Sequence, residues 1–492
     1  MSPGSQSSRG ATPVEMKARS GHHNRPASRR PGVEAEKLQQ AVSLHQQGQL
    51  DAAEALYREI LQTSPRHSHV LQLLGVVAGQ RGQPQQAIDL FDQALAIDPA
   101  NAAAWSNRGN ALLELKRHTE ALASYDRALA INPGHADALH NRGLTLHNLD
   151  RTSEALKSYD RALAIRPDYP QALNHRGIAL CKLGRQSEAL MAFRRALALQ
   201  PGVAEFHANL GKALLELRQL EPAENSLRQA LQIEKSAAVF ESLATTLYQK
   251  QQFPEALDIY REWLAFEPDN PIPQHMVAAG SDAAPERAGD QYVASLFDKF
   301  AGSFESTLLS LGYRVPELLT AQISNLLGTD TTPLRILDAG CGTGLAAPLL
   351  KPLASQLVGV DLSSGMLDKA RERKLYDELV VGELCAFMAS RPAAFDLVLL
   401  ADTLVYFGAL EEAFRTAHGT LTPGGIFAFA VESRPDSGPD YQLELHGRYS
   451  HRPDYVTRLL AASCYTLQSL EPIVIRRELN TDVAGIAVVA RR

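Results

Sequence analysis

Along the first half of the chain, small and large apolar positions recur at an interval of 34 residues, with polar residues between them. Proline returns at Pro65, Pro99, Pro133, Pro167 and Pro201, lapses at Lys235, and reappears at Pro268 after a unit one residue shorter. One small site reads Ala41, Gly75, Gly109, Gly143, Gly177, Gly211, Ala244, and a second reads Ala53, Ala87, Ala121, Ala155, Ala189, Ala223, Ala256. Four positions beyond the second site stands a ring or a large apolar group: Tyr57, Phe91, Tyr125, Tyr159, Phe193, Leu227, Tyr260. The spacing predicts seven pairs of antiparallel helices over 34–268. The helices meet at the small residues, the large residue fills the gap, and proline ends each pair.

From Leu334 the period changes to apolar runs alternating with helical stretches, which predicts a mainly parallel sheet of seven strands in an α/β domain. Strands are expected near 335–339, 357–361, 379–381, 395–401 and 426–431, with two more near 467–476 and 484–490 that pair antiparallel at the end. Between the halves, Asp269-Asn270-Pro271-Ile272-Pro273 and Gly280-Ser281-Asp282-Ala283-Ala284-Pro285 are turn and breaker residues. They predict a linker over 269–285 and a second domain over 286–492.

A chain of 492 residues is long enough for more than one domain. Its formal charge of −6 argues against nucleic acid as the main partner. No apolar run is long enough to span a membrane. Cys181, Cys341, Cys385 and Cys464 are scattered, without metal-ligand spacing or enough partners for a disulfide framework, which fits a reducing, cytoplasmic setting and no metal. Residues 1–33 carry Arg9, Lys17, Arg19, Arg25, Arg29 and Arg30 against the one acid Glu15, and no Leu, Ile or Phe. A disordered basic tail is expected there. It shares its composition with organelle transit peptides but lacks their apolar stripe, and it has no apolar core for a secretory signal.

The first strand of the second half runs into Leu337-Asp338-Ala339-Gly340-Cys341-Gly342-Thr343-Gly344. Alternate glycines allow a sharp bend that brings backbone N–H groups against a ligand. The dinucleotide fingerprint wants its last glycine one place later, where Leu345 stands. The second strand ends in Val360-Asp361-Leu362-Ser363, and a carboxylate there can take both hydroxyls of a ribose, whichever adenosyl cofactor carries it.

These patterns resemble two known families. The repeats, with Trp105 near the start of a first helix, are similar to tetratricopeptide repeats, which implies an α-solenoid with a concave groove. The glycine phrase, with its acid two places before the first glycine, resembles motif I of class I S-adenosylmethionine-dependent methyltransferases. The layout as a whole looks like the bacterial tetratricopeptide-containing methyltransferases. That resemblance implies S-adenosylmethionine as cofactor, held by Asp338, Gly340, Gly342, Gly344 and Asp361. Leu362 and Met366 would pack on adenine and Glu383 would face its amine, although the family usually has Asp there. Asp402, in Ala401–Phe407, would meet the methionine portion. The stretch Tyr292–Phe304, followed by Gly312-Tyr313-Arg314-Val315-Pro316, is similar to the cap of ubiquinone-biosynthesis methyltransferases and implies a helix closing over the cofactor.

For the acceptor side, the segment after strand five supplies candidates. His451 and His446 could act as base, Arg448 could pair with an acidic substrate, and Tyr406 or Tyr449 could orient the acceptor. On the first helices of the repeats, Asn107, Asn110, Asn141, Asn174 and Asn209, interleaved with His140, His147 and His175, suit an extended protein or peptide partner. The expected function is methyl transfer to a protein or a small acid, with the repeats recruiting a partner. The alternative is an interaction scaffold whose cofactor domain is catalytically silent.

Overall fold

A computed structural model of the chain describes residues 31–281, 284–328, 332–435, 437–479 and 481–492. The predicted basic tail lies outside the described residues except at its last positions, which open the first helix. The described chain divides into two compact units, one ending at Leu183 and one running from Gly184 to Arg492.

In the first unit the helices are α1 (Pro31–Gln46), α2 (Leu50–Thr63), α3 (Ser68–Gln80), α4 (Pro84–Ile97), α5 (Ala102–Glu114), α6 (His118–Ile131), α7 (Ala136–Asn148), α8 (Thr152–Ile165) and α9 (Pro170–Lys182). They pair as the spacing predicts, and the reason for the small residues is visible. A β-carbon on Gly75, Gly109 or Gly143 would come within 2.7, 2.7 or 2.5 Å of the ring of Phe91, Tyr125 or Tyr159. All three rings are buried. The turn inside each pair needs one residue in the left-handed region. Gly48 and Gly82 fill it, but so do Lys116 and Asp150, each at φ 57°. Successive pairs are tied by repeated ion pairs, Arg108 to Asp92, Arg142 to Asp126 and Arg176 to Asp160, at 2.6–2.7 Å.

The second unit begins with α10 (Gln186–Leu199), α11 (Ala204–Glu216), α12 (Leu220–Ile233), α13 (Ala237–Gln249) and α14 (Phe253–Phe266). The stretch expected as a linker contains a further helix, α15 (Pro271–Ala279), started by Asn270, whose side chain accepts from the Ile272 amide at 3.0 Å. Proline at the first turn of a helix is favourable because its missing N–H would have no partner there. The two prolines read as breakers are therefore helix starters. Helices α16 (Asp290–Phe300), α17 (Phe304–Ser310) and α18 (Val315–Leu327) follow.

The α/β domain runs β1 (Leu334–Ala339), α19 (Ala347–Leu350), β2 (Ala354–Asp361), α20 (Ser364–Arg373), β3 (Glu378–Val381), α21 (Leu384–Ala389), β4 (Phe395–Leu400), α22 (Glu411–Thr420), β5 (Leu421–Ser433), β6 (Tyr441–Leu443), β7 (Tyr449–His451), α23 (Pro453–Ala462), β8 (Thr466–Glu478) and β9 (Thr481–Arg491). Strands β3-β2-β1-β4-β5 are parallel, and β9 then pairs antiparallel with β5 and β8 with β9. These are the seven expected strands. Two short ones are added, because the far end of β5 runs past β4 and pairs with the β6–β7 hairpin at Glu432 and Ser433. Strand order reverses between β1 and β4, so a crevice opens at their carboxyl ends, where doubly wound sheets bind ligands.

Gly143→Ala is expected to destabilise the protein by about 1–3 kcal/mol, because the added carbon must displace the Tyr159 ring. Gly79→Ala has nothing within 4 Å in its way and should gain roughly 0.5–1 kcal/mol from helix propensity. Urea midpoints of the two variants should therefore move in opposite directions. Equal shifts would contradict the packing account.

Candidate active site

The bend after β1 is built from left-handed backbone at Gly340, Gly342 and Gly344, with φ of 77°, 54° and 79°. The amides of Gly340 and Cys341 both donate to the Val360 carbonyl at the end of β2, which pins the loop to the next strand. A β-carbon on Gly340 would lie 2.1 Å from Thr403 Oγ1, and that hydroxyl donates to the Ala339 carbonyl at 2.9 Å. Gly340 is thus where the loops after β1 and β4 touch. At Gly342 a β-carbon meets nothing nearer than 3.8 Å, leaving the backbone open to a ligand.

A cavity of about 400 Å³ opens on this loop. Its wall includes Asp338, Gly340, Gly342, Asp361, Leu362, Glu383 and Asp402 among the residues expected to hold a cofactor, and Tyr406 and Arg448 among those expected at the acceptor. The cap closes it with Val293, Leu296, Phe297, Phe300 and Phe304. Phe297 stands edge-on to Tyr406, ring centres 5.5 Å apart. Asp298 on the same helix accepts from Ser363 Oγ at 2.5 Å and from the Gly365 amide at 3.0 Å, tying the cap to the start of α20.

The carboxylates differ in their surroundings. Asp361 accepts from the amides of Gly342 and Ser363 at 2.9 and 2.8 Å; burial still pushes its carboxyl above the usual range. Asp338 is almost fully buried, and burial raises it to about 7 although Tyr376 donates to it at 2.6 Å. Burial likewise raises Asp402 to about 6, against the pull of Arg476 and Arg448. Its Oδ1 is buried with no hydrogen-bond partner. Glu383 is different. Burial opposes its ionised form, but the amides of Cys385 and Ala386 and the Arg287 guanidinium outweigh that and hold it low. It caps α21, which accounts for it without any adenine.

Several expected site residues lie elsewhere. Gly344 is not in the wall; it packs on the Tyr376 ring, 2.9 Å from a notional β-carbon. Met366, on α20, is fully buried and does not line the cavity. His451 is fully buried, and its Nε2 donates to the Gly408 carbonyl at 3.1 Å. Burial depresses it to about 4, so it is a neutral core group outside the wall, not a base facing an acceptor. His446 also lies outside the wall, beside Glu432 at 3.4 Å. Tyr449 donates to the Pro285 carbonyl at 2.6 Å, a strut that holds the chain before the cap.

Sequence reasoning missed Arg287, Arg476 and Glu478, all in the wall, which also takes in Tyr313 from the expected cap. Arg476 and Glu478 occupy alternate positions near the end of β8, and period-2 alternation puts them on one face. An arginine at the end of an expected strand, with a glutamate two places on, was the available signal. Arg448 donates to Glu478 at 2.7 Å, so the side chain expected to meet an acidic substrate already has an acid.

On the repeats, the amide ladder is partly self-satisfied. Asn141 donates to Asn110 at 2.9 Å, Tyr125 donates to the same oxygen at 2.7 Å, and His140 bonds His175 at 2.9 Å. Asn174 is buried.

The sheet order, the glycine bend and the acids at successive strand ends define a class I methyltransferase domain. Residues 337–429 match the family model described as "Methyltransferase domain". Tetratricopeptide-repeat models match residues 34–100, 73–136, 109–173 and 208–271. The chain thus joins tetratricopeptide repeats to a domain that matches the methyltransferase family. A malonyl-[acyl-carrier protein] O-methyltransferase of Serratia marcescens is 28% identical over 149 residues, covering 30% of this chain and 56% of that protein. Methyltransferase-like protein 27 of Homo sapiens is 35% identical over 142 residues, covering 28% and 56%. A ubiquinone biosynthesis O-methyltransferase of Chromobacterium violaceum is 26% identical over 180 residues, covering 32% and 78%. The chain thus spans about half the length of the first two relatives. Among solved structures, MamA is 25% identical over 33% of this chain and 94% of its own, with a TM-score of 0.31.

Gly340→Ala should lower the melting temperature by at least about 2 °C, since left-handed backbone alone costs a side chain roughly 1–2 kcal/mol and Thr403 must also move. An unchanged melting curve would show that the contact between the two loops is not needed.

Proposed function

We propose that the cavity binds S-adenosylmethionine and that the domain transfers its methyl group to an acceptor, while the repeats bind a protein or peptide partner. The observation that carries this reading is the buried, unpartnered oxygen of Asp402, beside a glycine bend with open backbone at Gly342. A buried carboxylate without a partner is unfavourable by several kcal/mol unless a cation completes it. The cofactor supplies a methyl group already activated on a cationic sulfur.

The residues divide the work by position. Asp361, at the end of β2, has lone pairs beyond those taken by Gly342 and Ser363 and suits the ribose hydroxyls. Asp338 and Asp402 flank the bend and suit the ammonium and sulfonium charges. Val360, Leu362 and Leu384 offer apolar walls for a base. The aromatic cap excludes water, and Tyr406 and Arg448 face the acceptor side. Transfer itself needs positioning more than acid–base help, and a base only where the acceptor still holds its proton.

Incubating the protein with methyl-labelled cofactor and a cell lysate tests this. Label in a protein or small-molecule fraction supports transfer. Cofactor binding with no label transferred would support the scaffold reading instead.

The carboxylates also set a pH dependence. Asp338, raised to about 7 by burial, must be ionised to hold a cation, so protonation competes with binding. Affinity for S-adenosylmethionine should weaken on acidification by about tenfold per pH unit below 7, more steeply below about 6 where Asp402 also takes a proton, and level off above 7. Calorimetry from pH 5.5 to 7.5 measures this, and Asp338→Asn should flatten the profile between about 6 and 7, leaving the fall that Asp402 causes below 6. Affinity that is constant or rises as pH falls would contradict these roles.

A further inference from the structure

We propose that the methyl acceptor carries a carboxylate and that Arg476, supported by Arg448, is the residue that holds it. This rests on the cofactor reading above and names the substrate class for the same site.

Arg476 lies on β8 in the cavity wall and is 1% exposed. Its Nε donates to Glu478 Oε1 at 2.8 Å and its Nη2 donates to Glu432. Arg448 Nη1 donates to the same Glu478 oxygen at 2.7 Å. The two glutamates offset the charge of the two guanidinium groups without using all their N–H groups. Arg476 Nη1 is buried with no partner.

Leaving a buried donor unmet costs about 1–3 kcal/mol, more for a charged one. A planar guanidinium edge is completed best by an oxygen that carries charge, and carboxylates fit its fork. A dianionic phosphate suits the place less well, because Asp402, Glu432 and Glu478 already surround the pair. The neighbouring wall of Tyr406, Phe297 and Phe407 favours an acid with an apolar body. The other source of a carboxylate is the amino-acid end of the cofactor itself, so the experiment has to separate the two.

Full-length protein is first titrated with S-adenosylhomocysteine, then, once saturated, with benzoate, methyl benzoate and benzamide, following binding by saturation-transfer NMR and thermal shift. Benzoate should bind at least about tenfold more tightly than its ester or amide. Arg476→Gln leaves Glu432 buried without its partner, so the charge-matched double variant Arg476→Gln/Glu432→Gln is measured beside it. Both should lose benzoate about tenfold while S-adenosylhomocysteine affinity stays within about twofold of wild type. Equal binding of acid and ester overturns the proposal, as does benzoate binding that survives in the double variant. Loss of S-adenosylhomocysteine instead of benzoate would assign Arg476 to the cofactor and also overturn it. A wild-type protein that takes no S-adenosylhomocysteine fails at the first titration, which marks the cofactor reading as the fault and withdraws this proposal with it.

Discussion

Carboxylates resist leaving water, and this domain buries one of them, Asp338, and half-buries two more around one bend. Asp338, Asp361 and Asp402 stand at or just beyond the carboxyl ends of β1, β2 and β4, where the sheet changes direction. Each is displaced upward by burial, to about 7 for Asp338 and about 6 for Asp402. Two are steadied by hydrogen bonds, from Tyr376 and from backbone amides, and Asp402 is left with an open oxygen. A carboxylate oxygen kept out of water with no hydrogen-bond partner is completed well by a cation. The rest of the domain can be understood as the means of holding that arrangement in place.

Several of those means come from outside the sheet. Residues just before α16 bond the loop after β4: the Ala288 amide donates to the Tyr406 carbonyl, and Gly408 and Ala409 donate to the Glu286 carbonyl. Helix α15 reaches the turn of the β6–β7 hairpin, which delivers Arg448 to the cavity. His275 stacks on Tyr292 at 3.9 Å and its Nε2 donates to the Gly447 carbonyl at 2.9 Å. Gly447 is left-handed, and a β-carbon there would crowd the Tyr292 hydroxyl and Met276 sulfur. The segment that joins the last repeat to the domain is thus packed against the turn that carries Arg448 to the cavity.

What could be seen in the sequence were features with a local cause. Helical pairing followed from a fixed interval of small and large residues, because Gly75, Gly109 and Gly143 each face a ring, and Gly211 faces Leu227, in their own pairs. The glycine bend and Asp361 announced themselves through spacing along one β-α-β unit. What stayed hidden depended on contacts across long separations. His451 looked like an accessible base, but β7 packs it beneath the loop after β4, against Gly408. Pro271 and Pro273 looked like breakers and instead start a helix, since proline's effect depends on its position in the turn. Arg476 is functional in appearance only once β8 is folded beside β9 and its partner Glu432 arrives from β5. Glu383 matched a family position, while its neighbours had already engaged it as a helix cap.

Calorimetric titration of wild-type protein and of Asp361→Ala with S-adenosylmethionine, and of wild type with NAD, tests the central claim most directly. Saturable binding of S-adenosylmethionine by wild type, little or none of NAD, and a loss of at least about tenfold in the variant are expected. Preference for NAD, or an affinity for S-adenosylmethionine that does not notice the loss of Asp361, would contradict the account.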